Sequence, residues 1–239
     1  MNSKLKIKDS KLPFVFSNFA MTADGKIAFT AENFIPFGSA RDREHMMELR
    51  ATADAILCGA RTVEVSQATL GNGGEKHRRR RLKHGLTEFP IRVIASNSGS
   101  IDPAAAIFQK RFSPIVILTT KRPSASKLAQ LRQIADEVKI FGEEEVNFHS
   151  ALCWLGAKWS VKRLLCEGGG VLNGALVLAG LVDEIHLTIC PKIFGGRTAP
   201  TIADGLGFQR LTDAAQFELT SIKREKAELF TVFSRCKNR

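Results

Sequence analysis

The stretch that most constrains this chain runs from Lys162 to Ala179. Lys162 to Cys166 carries an apolar run and reads as a short buried strand. Glu167 follows, and then three glycines, Gly168, Gly169 and Gly170. Val171 to Ala179 is apolar nearly all round and reads as a buried helix. A strand that passes through glycines into a helix presents free backbone N–H groups at the helix N-terminus. Such a terminus attracts phosphate through its orphan donors and its dipole. Glycine lets the backbone approach a ligand that a side chain would hold off. Glu167 falls at the carboxyl end of the strand, where α/β sheets place ligands. A tight turn with no ligand accounts for the same residues, and the Gly-x-Gly-x-x-Gly fingerprint is absent.

The rest of the chain alternates apolar runs with helical patterns. Strands are expected at 14–20, 53–58, 91–95, 114–120, 138–141 and 182–190, and helices at 40–51, 124–135 and 147–156. Phe217 to Ile222 and Leu229 to Ser234 read as a closing strand pair. The alternation implies an α/β domain with a mostly parallel sheet covered on both faces and an antiparallel C-terminal edge. No repeat or linker divides it, so 13–239 reads as one domain behind a polar tail, 1–12.

Charge and cysteine usage bound the function classes. No run of about 18 apolar residues occurs to span a membrane. The lysine-rich start lacks the apolar core of a secretory signal. Cys58, Cys153, Cys166, Cys190 and Cys236 are scattered singly and read as reduced thiols of a cytoplasmic protein. No histidine stands at metal-ligand spacing from another histidine or a cysteine, so no metal is expected. The net charge is +11, and Lys76 to His84 carries six formal positive charges in nine residues. That run is either a solvated basic face or a nucleic-acid contact. The chain has no Tyr, and the run holds no aromatic residue on which bases could stack.

Four ordered blocks carry a resemblance. They are Phe19-Ala-Met-Thr-Ala-Asp-Gly-Lys-Ile-Ala28, Leu49-Arg-Ala-Thr-Ala-Asp-Ala-Ile-Leu-Cys-Gly-Ala-Arg-Thr-Val63, Glu167 to Asn173 running into Gly180-Leu-Val-Asp-Glu-Ile185, and Pro191-Lys-Ile-Phe-Gly-Gly-Arg-Thr-Ala-Pro-Thr201. Over about Pro13 to Phe233 the chain resembles the pyrimidine reductases of riboflavin biosynthesis, of the stand-alone type. The resemblance implies a dihydrofolate-reductase-like three-layer α/β/α fold, NADPH as hydride donor and a homodimer. The implied substrate is a pyrimidine with a ribosylamino 5′-phosphate, whose ribosyl group is reduced to ribityl. The His-x-Glu and Pro-Cys-x-x-Cys motifs of the companion deaminase are absent, so the resemblance implies the reductase alone.

By the same resemblance, Ala20, Thr62 and the segment Gly168, Gly169, Gly170, Val171, Leu172 and Asn173 touch the cofactor. Arg50, Glu167, Leu70 and Ser39 touch the substrate. Ser66 stands where a cofactor-contacting aspartate is usual, and Gly73 stands near a usual arginine. These departures leave open a diverged reductase of a pterin-like or other heteroaromatic substrate. A basic nucleic-acid-binding protein on the same fold is the remaining alternative. Lys26 is either part of an Asp-Gly turn or a cation near the reacting sugar. Lys26 and Glu167 are the candidate proton-handling side chains, with water as an equal alternative. Thr120, Lys121 and Arg122 follow the most apolar strand and are the expected 2′-phosphate site, with Arg92 and Arg78 to Arg81 as other cations.

Overall fold

The computed structural model describes residues 12–30 and 35–236. Nine strands form: β1 (Phe14–Thr22), β2 (Ala55–Gly59), β3 (Ile91–Ser96), β4 (Ile115–Thr119), β5 (Glu137–Ile140), β6 (Arg163–Cys166), β7 (Glu184–Cys190), β8 (Phe217–Glu225) and β9 (Glu228–Arg235). They lie in one sheet in the order β5-β4-β3-β2-β6-β1-β7-β9-β8. The strands from β5 to β7 are mutually parallel, and β9 and β8 close the sheet antiparallel. The expected tail, 1–12, lies almost wholly outside the described residues.

Strand periodicity divides the core into two layers. Every residue of β4 is buried. Val116 and Leu118 join one cluster with Leu152 and Leu155 of α6 (Phe148–Trp159) and Leu172 and Leu176 of α7 (Gly170–Leu178). Ile115 and Ile117 join the other with Val63 of α2 (Ala60–Ser66), Ile107 of α4 (Ala106–Gln109) and Leu131 of α5 (Ala125–Ile134). A strand buried on both faces can be apolar throughout, which is why β4 shows no alternation in the sequence.

Helix α1 (Ala40–Arg50) breaks this pattern. Its sequence has no apolar stripe, and only Leu49 and Arg50 are buried. It lies over the face of β1, β7 and β9 that bears Asn18, Ala20, Thr188 and Phe230. Its ends are secured by polar ties. Ser39 caps the first turn by accepting from the N–H groups of Arg41 and Asp42. At the other end, Arg81 donates to the carbonyls of Arg50 and Ala53 at 2.6 and 2.7 Å.

Arg81 belongs to the basic run, which forms α3 (Glu75–Lys83). Much of its charge is spent within the protein. Arg81 is 0% exposed, Lys76 and His77 face Glu44, and Arg78 and Arg79 face Glu75 and Glu88. Arg92, proposed from sequence as a phosphate cation, is also 0% exposed. It sits near the amino end of β3 and donates to the carbonyls of Ile107, Lys110 and Ser113, so it belongs to the scaffold.

Candidate functional site

The carboxyl ends of β1, β2 and β6 meet where the sequence places the glycines. Glu167 N–H donates to Leu57 O at 3.0 Å, and Gly59 N–H donates to Gly168 O at 2.8 Å. The turn is thereby fixed to β2. Gly168 has φ +89° and the Gly168–Gly169 peptide is cis. Gly169 is the N-cap of α7 and provides no side-chain cap. A Cβ on Gly169 would come within 3.0 Å of Thr62 Oγ1. Beneath it, Cβ atoms on Gly170 and Gly174 would lie 2.2 Å from Thr201 O and 2.1 Å from Asp204 O. The glycines therefore serve two ends. Gly168 lets the turn pack on β1, since a Cβ there would meet Phe19 Cε1 at 2.9 Å, and Gly169 brings bare backbone to Thr62, whereas Gly170 and Gly174 let α7 dock on the loop at 201–204. A helix N-terminus without its own cap, backed by a threonine hydroxyl, fits a phosphate-bearing cofactor.

On the α1 side, the carboxyl end of β6 is polar. Arg50 donates from Nε and Nη2 to both oxygens of Glu167, each at 2.6 Å, and from Nη1 to Gly71 O at 3.0 Å. The two side chains are 9% and 8% exposed. Burial works against the charge on Arg50, but Glu167 outweighs it and leaves the guanidinium pKa raised.

The floor beside this pair follows from strand register. Asn18, Ala20 and Thr22 pair with His186, Thr188 and Cys190. Four atoms of this region are buried without a well-formed hydrogen bond, Asn18 Oδ1, His186 Nδ1, Thr188 Oγ1 and Asp42 Oδ1, with Thr188 and Asp42 facing each other. Buried polar atoms normally find partners, so a group of orphans marks a place built to receive polar atoms from elsewhere. Asp42 reaches in from the first turn of α1, past Gly38, where a Cβ would fall 2.1 Å from its Oδ2. Burial raises the Asp42 pKa against the effect of the neighbouring Thr188, and Glu228 adds to the rise while Arg43 and Arg41 oppose it. Asn18 and Asp42 were not singled out from sequence. One is a polar residue within an apolar strand, and the other stands in a helix with no apolar face.

A family model, the RibD C-terminal domain, matches residues 13–230. The chain belongs to the RibD C-terminal domain family. A 2,5-diamino-6-ribosylamino-4(3H)-pyrimidinone 5′-phosphate reductase of Archaeoglobus fulgidus is 34% identical, over 82% of this chain and 88% of the relative. The enzyme of that name from Methanothermobacter thermautotrophicus is also 34% identical, over 87% and 91%. A pyrimidine reductase-like protein from Corynebacterium diphtheriae has the same fold at TM-score 0.79 and 20% identity, covering 95% of this chain and 93% of that one.

Within this RibD-type domain the remaining expected residues are placed as follows. Ser39 donates from N–H and Oγ to the carboxylate of Glu228, at 2.9 and 2.6 Å. Leu70 has φ +53° and a wholly buried side chain in the α2–α4 core, which leaves only its backbone for a ligand. Ser66 turns its hydroxyl back to Thr62 O at 2.6 Å. Leu172 and Asn173 point inward, Asn173 Nδ2 bonding Ile202 O at 2.8 Å, while Val171 is exposed. Lys26 Nζ donates to Ala199 O at 3.2 Å, tying the Asp-Gly turn to the loop after β7. Thr120 is buried and bonds Asn97 O. Lys121 and Arg122 stand at the carboxyl end of β4, paired with Glu143 and Glu144. β4 is three strands from β6, roughly 14 Å along the same edge of the sheet.

Proposed function

We propose that this protein is an oxidoreductase that uses NADPH to reduce the ribosyl group of a ribosylamino-pyrimidinone 5′-phosphate to ribityl, in riboflavin biosynthesis. The observation that carries the reading is the juxtaposition, at the carboxyl ends of the strands, of an uncapped, glycine-opened helix N-terminus with a recess lined by the buried polar side chains of Asn18, His186, Thr188 and Asp42. The first suits a phosphate-bearing dinucleotide. The second suits a ring with its own donors and acceptors. The relatives at 34% identity are named for this reduction.

When bound, the nicotinamide supplies the hydride, and the protein supplies position and a proton. Gly168, Gly169, Thr62 and Ala20 would hold the cofactor. Asp42 is the better proton-handling group, because both Glu167 oxygens are taken by Arg50 and Lys26 is tied to Ala199 O. A buried carboxyl with a raised pKa keeps a proton at a pH where an exposed one would lose it. Lys121 and Arg122 would meet the 2′-phosphate. Their ion pairs are exposed and therefore weak, so a phosphate can displace the glutamates.

A homodimer suits the C-terminal edge, where Leu219 and Ile222 of β8 are 47% and 60% exposed. Five free cysteines suit a reducing cytoplasm. No helix among the described residues is long and apolar enough to cross a membrane.

NADPH oxidation by the purified protein, with the pyrimidine offered in diamino and deaminated forms, tests the reaction. Turnover with either form supports it, and the preferred form fixes the order of steps. NADPH binding without turnover favours a different heteroaromatic substrate. One observation speaks for that second reading: Arg50, which the resemblance places against the substrate, spends three donors inside the protein. Replacing Lys121 and Arg122 by Ala should erode the preference for NADPH over NADH; an unchanged preference removes that site.

A further inference from the structure

We propose that Glu228 is a positioning residue for the proposed reduction: through Ser39 it fixes the first turn of α1, and with it the Asp42 carboxyl in the recess.

Glu228 is the first residue of β9 and is 7% exposed. Its Oε1 accepts from Ser39 N–H at 2.9 Å and its Oε2 from Ser39 Oγ at 2.6 Å. The same Ser39 oxygen accepts from the N–H groups of Arg41 and Asp42 at 3.1 and 3.2 Å. One carboxylate thus fixes both the capping hydroxyl and the backbone of the cap. Cys190 Sγ, on β7, donates to Oε1 at 3.5 Å and steadies the carboxylate from below. A negative group at a helix N-terminus is favoured by the dipole and by orphan N–H donors. A second tie runs beside it: Arg41 donates to Glu225 at 3.1 Å, and its guanidinium lies 5.5 Å from the centre of the Phe230 ring.

The tie matters because no buried apolar residue holds the start of α1, which rests on polar ties alone. The buried residues of α1 are Leu49 and Arg50, at its far end. Asp42 lies three residues beyond the cap and makes its first-turn bond through backbone N–H. Its carboxyl packs where Gly38 leaves room. Rotation of the first turn would therefore carry Asp42 out of the recess. Charge adds to geometry. Among the described residues, the groups acting on Asp42 are Glu228 from β9, Thr188 from β7, and Arg41 and Arg43 from its own helix. Cys190 lies between Glu228 and Asp42, bonded to the first and within reach of the second, and the negative charge of Glu228 favours the protonated form of Asp42.

The proposal rests on the reduction proposed above, so its test includes a measurement that needs no substrate. Glu228→Ala and Glu228→Gln are compared with wild type in steady-state kinetics with NADPH and the pyrimidine. The Asp42 carboxyl is also titrated by 13C NMR in labelled protein. Glu228→Ala is expected to lower kcat about tenfold or more while KM for the pyrimidine stays within about threefold. Glu228→Gln keeps the shape of the tie and removes its charge. It is expected to retain most of kcat and to lower the Asp42 titration midpoint, shifting the pH–rate profile with it. If Glu228→Ala fails to fold, Glu228→Gln carries the test. A kcat within about twofold of wild type, with an unmoved Asp42 midpoint, overturns the proposal. So does a rise in KM that matches the loss in kcat/KM, since Glu228 would then contact the substrate. Wild type that turns over neither pyrimidine sinks the reduction instead, and the Asp42 midpoint in Glu228→Gln then decides whether Glu228 governs that carboxyl.

Discussion

Glu167→Gln is the substitution whose energetic effect the structure bounds most closely. It keeps the size of the side chain and removes its charge. Arg50 is then left with a buried guanidinium, one bond to Gly71 O and an amide that can accept only through its oxygen. Breaking a buried ion pair by removing one partner costs about 3–5 kcal/mol, against about 0–1 kcal/mol for an exposed pair. Total stability of a domain is about 5–15 kcal/mol, so the variant folds but gives up a large share of its margin. Urea unfolding at pH 7 should show a lowered midpoint at unchanged slope. The loss should be nearly the same in low and high salt, because a pair only 9% and 8% exposed is poorly screened. Replacing both residues, Arg50→Met with Glu167→Leu, should restore most of the stability, since no charge is then stranded. A loss below about 1 kcal/mol for Glu167→Gln, or a loss that vanishes in high salt, would show that the pair is effectively at the surface and would refute the reasoning.

Three further outcomes are expected. Gly174→Ala gains about 1 kcal/mol of helix propensity, yet its Cβ meets Asp204 O at 2.1 Å, so the melting temperature should fall. Gly38→Ala needs no unusual backbone, and its Cβ displaces only the Asp42 carboxyl; kcat should drop at least about tenfold while the melting temperature moves little, as differential scanning calorimetry would record. Asp24 accepts from Thr22 Oγ1, Phe194 N–H and Gly195 N–H, and its pKa is lowered from 3.8 to about 2, chiefly by the Thr22 hydroxyl. A lowered folded pKa means that its contribution is full above about pH 4 and is lost as the pH falls through about 2. The stability gap between wild type and Asp24→Asn, measured by thermal melts across that range, should close accordingly.

How much of this was legible beforehand depended on the kind of signal. The strands announced themselves because burial on both faces demands continuous apolar runs, and β4 is the plainest case. The glycine turn was legible because only glycine tolerates the close approaches found there. Helices α2 and α4 carry no helical signal in the sequence, and the basic run that forms α3 reads equally as a loop or a helix face. The first two are short, and α3 is so basic that its charge conceals its structural use. Arg81 and Arg92 look like surface cations in sequence; the carbonyls that hold them come from segments up to 31 residues away, and no local pattern reports that. The Arg50–Glu167 pair joins residues 117 apart. Asp42 and Asn18 became visible only when strand register placed their region beside the glutamate.

Helix α1 resembles a beam bolted at both ends. Ser39 and Arg41 fasten one end to Glu228 and Glu225, while Arg50 and Arg81 fasten the other. The span between, His45 to Glu48, carries no share of the apolar core. Sequence drift in that span therefore alters what the cleft holds and leaves the folding of the sheet untouched. A lineage could move from one heteroaromatic substrate to another by changing the beam's underside, provided the bolts stayed in place.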